Sequence, residues 1–82
     1  MSVEDRILDV KSGTAILTTC IVQTINERDP TFQERFVARL DRAFAQRRDK
    51  AEKDEKEVLS WTRTLLTGFS LSGGQEKPFL SD

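Results

Sequence analysis

Hydrophobic residues recur every three or four positions over the first 28 residues of the chain. One arc of about 80° on a helical wheel holds Val3, Ile7, Val10, Leu17, Ile21 and Ile25, with Thr14 at the intervening position. We call these seven residues the apolar seam. The steps from Val3 to Ile21 alternate between four and three residues, which is typical of a helix packed along one stripe. The pattern predicts a helix over about residues 3–28, with Ser2 as its N-cap.

A competing interpretation treats the second half of this segment as a strand. Residues 14–25 are rich in β-branched side chains, which favour strands. Strand alternation fails, however, because Ile16 and Leu17 are adjacent apolar residues. Gly13 is the weakest point of the helical interpretation, since glycine costs about 1 kcal/mol inside a helix, and a break at residues 12–13 stays open.

Asp29 and Pro30 mark a turn between two helices. Proline disfavours helical geometry at the residue before it and fits the first position of a helix, while Asp29 can cap the amide of Thr31 or Phe32. Neither Gly, Pro nor Asn then occurs between Thr31 and Thr67. The sequence therefore predicts a tight turn at 29–30 and a second helix over about 30–67.

The second helix carries two apolar stretches separated by charge. The first holds Phe32, Phe36, Val37, Leu40, Ala43 and Phe44, and the second holds Val58, Trp61, Leu65 and Leu66. Between them, Ala51 is the one apolar residue of positions 46–57. The heptad spacing continues through the charged stretch and opposite charges stand four residues apart, which favours one continuous helix. A bend or loop near 46–52 remains the alternative.

These elements predict an all-α protein: a helical hairpin with a short first helix and a long second helix, straight or bent. Residues 1–69 form the helical domain, Gly68 ends the last helix in a left-handed conformation, and residues 70–82 form a flexible tail. A straight second helix would overhang the first and expose Val58, Trp61 and Leu65. We therefore expect a homodimer that forms a helical bundle. The predicted dimer or core residues are Leu17, Ile21, Ile25, Phe36, Leu40, Phe44, Val58 and Leu65. In outline this hairpin is similar to small bacterial regulatory proteins that dimerise into four-helix bundles, without a shared motif.

The composition limits the kinds of chemistry that the chain can perform. The 82 residues carry 13 basic and 14 acidic side chains, no histidine and one cysteine, so neither a disulfide scaffold nor histidine chemistry is available. No phosphate loop, zinc spacing or nucleophile motif occurs. We expect no enzyme, no catalytic or metal site and no cofactor. The longest apolar stretch is too short for a bilayer, which predicts a cytoplasmic protein without membrane partners.

Two features suggest partner binding. Arg35, Arg39 and Arg42 form one stripe of the second helix, which either contacts phosphates or pairs with acids such as Glu27 and Asp29. Trp61 belongs to a residue type that is enriched in binding hot spots, although core or homodimer packing is the simpler explanation of its position. The sequence therefore favours a small non-enzymatic module that binds an unidentified protein through a helical surface. A nucleic-acid-binding regulator that uses the arginine stripe is the alternative.

Minor candidates have simpler explanations. Cys20 lies at the edge of the apolar arc, where a buried thiol acts as a small hydrophobic group. The acidic residues of positions 52–57 lack the loop spacing of a calcium site and are expected to face solvent. The tail residues 77–80 include a Phe-Leu pair that could dock as a peptide, but a frayed terminus is the expectation.

Overall fold

The computed structural model describes residues 2–70, 74–75 and 77–80. It contains three helices, which we name α1 (Val3–Asn26), α2 (Phe32–Arg47) and α3 (Lys53–Thr67). Two-residue strands β1 (Phe69–Ser70) and β2 (Gly74–Gln75) pair antiparallel after α3. The predicted all-α class is confirmed.

Helix α1 runs unbroken through the segment that strand propensity alone would have made a strand. Ser2 caps it, because its hydroxyl accepts a hydrogen bond from the Asp5 amide at 3.1 Å. Two threonine hydroxyls, of Thr19 and Thr24, donate to the carbonyls four residues earlier at 2.8 Å. This local bond satisfies a hydroxyl inside a helix, and it lets β-branched threonine occupy the interior of α1.

The turn between α1 and α2 follows the predicted capping chemistry. The Asp29 carboxylate accepts from the Thr31 amide at 3.1 Å and from the Thr31 hydroxyl at 2.7 Å. The Phe32 amide donates to the Asp29 carbonyl at 2.9 Å. Pro30 lies in this turn, so α2 begins two residues later than the proline suggested.

The long second helix is interrupted, which corrects the expectation of a continuous helix and of a short first helix. Residues 48–52 separate α2 from α3, and α1, with 24 residues, is the longest element. Glu52 is extended, at ψ 165°. No local breaker causes this; a straight helix would leave the apolar residues of its second half in solvent, and folding back packs α3 chiefly against α1.

The break also changes the charge pairs predicted on a continuous helix. Of the oppositely charged pairs four residues apart in this charged region, Lys53 and Glu57 remain in contact, with 3.7 Å between the ammonium and a carboxylate oxygen. Arg47 instead reaches across the break and donates to both oxygens of Glu55, at 2.8 and 3.0 Å. This bidentate contact holds the pKa of the Glu55 carboxyl below its ordinary value.

The core lies between α1 and α3. Its buried side chains are Ala15, Thr19 and Val22 of α1 and Thr62 and Leu66 of α3. Helix α2 has no fully buried side chain and rests on the pair through half-buried residues. Gly68 ends α3 at φ 74°, as predicted, and its amide donates to the Thr64 carbonyl at 2.8 Å.

Candidate functional site

The apolar seam of α1 faces solvent. Val10 is 67% exposed, Leu17 is 63% exposed and Ile21 is 53% exposed. The buried residues Ala15, Thr19 and Val22 lie on a different face of the same helix. Leu17, Ile21 and Ile25 are therefore not part of the monomer's core, and only their role in a dimer remains a prediction.

The sequence pattern identified the most apolar face of α1 but not the face that packs inside the chain. A monomer normally buries the wider apolar stripe of a helix. Here α1 packs through Ala15, Thr19 and Val22, whose side chains are shorter than the leucine and isoleucine side chains of the seam. The seam is consequently a row of large apolar side chains, exposed along most of the longest helix.

The other predicted core residues are half-buried within the chain. Covered in this way are Phe36, Leu40 and Phe44 of α2 and Val58, Trp61 and Leu65 of α3. The overhang that was expected to expose Val58, Trp61 and Leu65 does not form, because the break at 48–52 folds α3 back onto α1. These residues therefore no longer supply the reason for a dimer.

Trp61 takes part in a cluster that sequence reasoning missed. The Lys11 ammonium donates to Asp54 at 2.8 Å and to Glu57 at 3.2 Å. It also lies 5.1 Å from the centre of the Trp61 ring, a cation–π distance. The hydrogen bond to Asp54 is the main cause that raises the pKa of Lys11 above its ordinary value. No sequence signal pointed to this cluster, since it depends on the fold-back of α3.

The arginine stripe of α2 divides into two parts. Arg35 pairs with Asp29 and its guanidinium lies 5.8 Å from the centre of the Phe32 ring. The pKa of Asp29 is lowered, first by the Thr31 hydroxyl, then by the Thr31 amide and by Arg35. Pairing with an acid, the simpler explanation of the stripe, thus holds for Arg35.

Arg39 and Arg42 differ from Arg35. Both are exposed, and within the described part of the chain neither forms an ion pair. Together with Arg35, Phe32 and Phe36 they line an open depression of about 330 Å³. The structure therefore brings two aromatic rings next to the arginine stripe.

The C-terminal residues 77–80 contact the helices. The Phe79 amide donates to the Leu65 carbonyl at 2.7 Å, and the Gln23 side chain donates to the Phe79 carbonyl. Phe79 is half-buried, whereas Lys77 and Leu80 are exposed, and a flexible tail over residues 70–82 stays a prediction. The rest of the predicted flexible tail, residues 71–73, 76 and 81–82, lies outside the described residues. Cys20 is a free thiol and is half-buried rather than buried.

The described residues hold no group of three or more metal-binding side chains. Likewise, none of their helices combines the length and apolar character that crossing a bilayer requires. The candidate sites are therefore two surfaces: the apolar seam of α1 and the arginine–phenylalanine depression of α2.

No protein-family model, curated protein or solved structure is significantly similar to this chain. Its function is accordingly inferred from the geometry of its own residues. Of the two surfaces, the apolar seam departs further from what a free monomer needs, because its large apolar side chains contact water.

Proposed function

We propose that this chain is a small, non-enzymatic protein-interaction module that self-associates through the apolar seam of α1. The observation that carries the proposal is the exposure of a continuous row of Val, Leu and Ile side chains at heptad spacing. Scattered exposed apolar residues are normal on proteins, but contiguous ones mark interaction sites. A second copy or a helical partner would cover them.

The total surface of the chain supports the same conclusion. The accessible surface is 6351 Å², whereas a compact monomer of 9.4 kDa exposes about 5000 Å². A stable interface covers about 800 Å² on each partner. The chain therefore exposes more surface than its mass requires, by an amount comparable to one side of an interface.

The energy of the seam sets the expected affinity. Covering the exposed half of a Val, Leu or Ile side chain contributes about 1 kcal/mol. Each seam has six large apolar residues, so the two seams of a dimer together contribute on the order of 12 kcal/mol. Association itself costs about 4–15 kcal/mol. With the association cost at the lower end of that range, about 8 kcal/mol remains, which corresponds to a dissociation constant in the micromolar range. Such a dimer suits a reversible regulator or adaptor.

Analytical ultracentrifugation of the wild-type chain from low to high micromolar concentration tests the proposal. We expect a concentration-dependent shift from 9.4 kDa to twice that mass. Leu17→Lys should abolish the shift. Ile16→Lys is the matched control, because Ile16 is also exposed, at 40%, but lies off the seam. A wild-type chain that remains monomeric throughout, or equal behaviour of the two variants, would contradict self-association.

A second candidate function is recognition of a nucleic acid by α2. The observation that favours it is the depression that exposed Arg39 and Arg42 line together with Phe32 and Phe36. Guanidinium groups bind phosphates, and aromatic rings stack on unpaired bases. The local charge is positive as well, since residues 30–50 hold six basic and three acidic side chains, a difference of +3.

Fluorescence anisotropy with labelled single-stranded RNA and duplex DNA at low salt tests this second candidate. We expect binding that weakens steeply with salt, with a smaller salt slope after Arg39→Ala and Arg42→Ala. Arg28→Ala and Arg48→Ala are matched controls, because both are exposed arginines outside the depression. Absence of binding at low salt would end this candidate and leave the self-association proposal untouched.

A further inference from the structure

The apolar seam is flanked on one side by four residues at heptad spacing: Arg6, Gly13, Cys20 and Glu27. Arg6 and Glu27 stand near opposite ends of α1, are exposed and carry opposite charges. Neither forms an ion pair within the described part of the chain. The flank therefore carries a positive charge near the start of α1 and a negative charge near its end.

The direction of this flank distinguishes parallel from antiparallel packing. When two helices pack antiparallel along a heptad seam, a given flank of one helix lies beside the same flank of the other helix. The start of the flank in one copy then lies beside its end in the other copy. Arg6 of each copy then lies beside Glu27 of the other, so the opposite charges meet at both ends. In parallel packing Arg6 and Glu27 of different copies would lie at opposite ends of the interface, so their charges would not meet.

The seam residues fit the same register. Antiparallel packing that pairs Arg6 with Glu27 has a two-fold axis near residues 15–16. In this register Val10 of each copy lies opposite Ile21 of the other, and Thr14 lies opposite Leu17. Arg28, exposed at the end of α1, then lies beside the first turn of the other copy. That turn contains Glu4 and Asp5, so a second set of opposite charges is brought together.

Gly13 supports a close approach at this flank. It lies inside α1, where glycine is unfavourable, and a Cβ built on it meets no atom of the described residues within 4 Å. Packing within the described part of the monomer therefore does not require a glycine here. In the antiparallel register Gly13 faces Cys20 of the second copy, and two small side chains near the two-fold axis allow the helices to pack closely.

From these observations we infer that two copies pack their α1 helices antiparallel along the apolar seam, with Arg6 of each copy beside Glu27 of the other. This inference rests on the proposed self-association and adds the orientation and register of the interface. The two-fold axis of this dimer also relates the α2 helices of the two copies, and with them Arg39 and Arg42.

Charge reversal in two separate chains tests the register by sedimentation equilibrium. Arg6→Glu alone brings two carboxylates together at both ends of the interface, and Glu27→Arg alone brings two guanidinium groups together there. Each variant should therefore dimerise at least about tenfold more weakly than the wild type. In an equimolar mixture of the two variants, each end of the heterodimer again pairs one carboxylate with one guanidinium, so the mixture should form a heterodimer with an affinity close to that of the wild type.

The double variant Arg6→Glu with Glu27→Arg in one chain restores opposite charges at both ends of its own homodimer, because each end again pairs one carboxylate with one guanidinium. Its homodimer should therefore return to within about threefold of wild-type affinity. This recovery requires that positions 6 and 27 of different copies lie side by side, as the antiparallel register specifies.

Matched controls separate the register from net charge. Arg48→Glu and Glu34→Arg make the same charge changes at exposed positions outside α1. These two variants should dimerise like the wild type, alone or combined in one chain. Circular dichroism of every variant should show the helix content of the wild type, so that a loss of dimer reports on the interface.

The outcomes distinguish the two proposals. A dimeric wild type whose Arg6→Glu and Glu27→Arg variants dimerise normally, or whose double variant fails to recover, overturns the antiparallel register but leaves self-association standing. A wild-type chain that stays monomeric overturns both. Recovery in the double variant, without any effect of the control pair, supports the register.

Discussion

Replacing leucine by alanine at Leu66 of α3 and at Leu17 of α1 tests whether the apolar seam of α1 lies in the core or on the surface. Leu66 is 1% exposed, whereas Leu17 is 63% exposed. Truncation of a buried leucine removes its transfer free energy and leaves a cavity, and it lowers the free energy of unfolding by about 3 kcal/mol. For Leu17→Ala in a dilute monomer we expect a loss below about 1 kcal/mol, because most of that side chain already contacts water.

Urea denaturation followed by circular dichroism measures both losses. With a slope of about 1 kcal/mol per molar urea for a domain this small, Leu66→Ala should lower the transition midpoint by about 3 M and Leu17→Ala by less than about 1 M. Raising the protein concentration should enlarge the effect of Leu17→Ala, because dimerisation stabilises only a chain with an intact seam. The loss caused by Leu66→Ala should stay nearly constant.

Two results would refute this reasoning. If Leu17→Ala destabilises the dilute chain as strongly as Leu66→Ala does, then Leu17 is buried within the monomer and the seam is not an exposed surface. If the effect of Leu17→Ala is small and does not change with concentration, the seam faces solvent without binding a second copy.

Three further predictions concern the backbone and the ion pairs. Gly68→Ala should lower the free energy of unfolding by about 1–2 kcal/mol in urea denaturation, because residue 68 has φ 74° and a side chain is strained there; no loss would contradict the left-handed cap. Gly13→Ala in the monomeric Leu17→Lys background should instead raise the free energy of unfolding by about 0.5–1 kcal/mol, since its Cβ meets open space, and a loss would show a hidden contact. The lowered pKa values of Asp29 and Glu55 stabilise the fold above about pH 4, and this contribution is lost as the pH falls through the folded-state pKa. In urea titrations at pH 7 and pH 3, Glu55→Gln should therefore show a smaller difference between the two midpoints than the wild type, and an unchanged difference would contradict the role of Arg47.

Local sequence signals predicted the ends of the elements well. Ser2, Asp29 and Gly68 each act at the predicted boundary, because capping and turn chemistry depend on residues a few positions apart. The helical spacing of α1 likewise outweighed the strand propensity of residues 14–25. These features are decided within one or two turns of chain, so a sequence pattern contains the information that determines them.

Long-range packing could not be predicted in the same way. The break at residues 48–52 has no glycine, proline or asparagine, and it follows from burying the apolar side of α3 against α1. The bond from Lys11 to Asp54 joins residues that become neighbours only after that fold-back. The seam residues of α1 were predicted as core residues for a related reason. Periodicity identifies the most apolar face of a helix but not the surface that covers that face.

The shallow anchoring of α2 has a consequence for the motions of the folded chain. Because α2 contributes no fully buried side chain, detaching it exposes less apolar surface than separating α1 from α3 would. Amide protons of α2 should therefore exchange with solvent through a partial opening of lower free energy, while those in the middle of α1 and α3 exchange only on global unfolding. Arg39 and Arg42 lie on this first-opening helix, so an anion held between them would slow exchange there selectively.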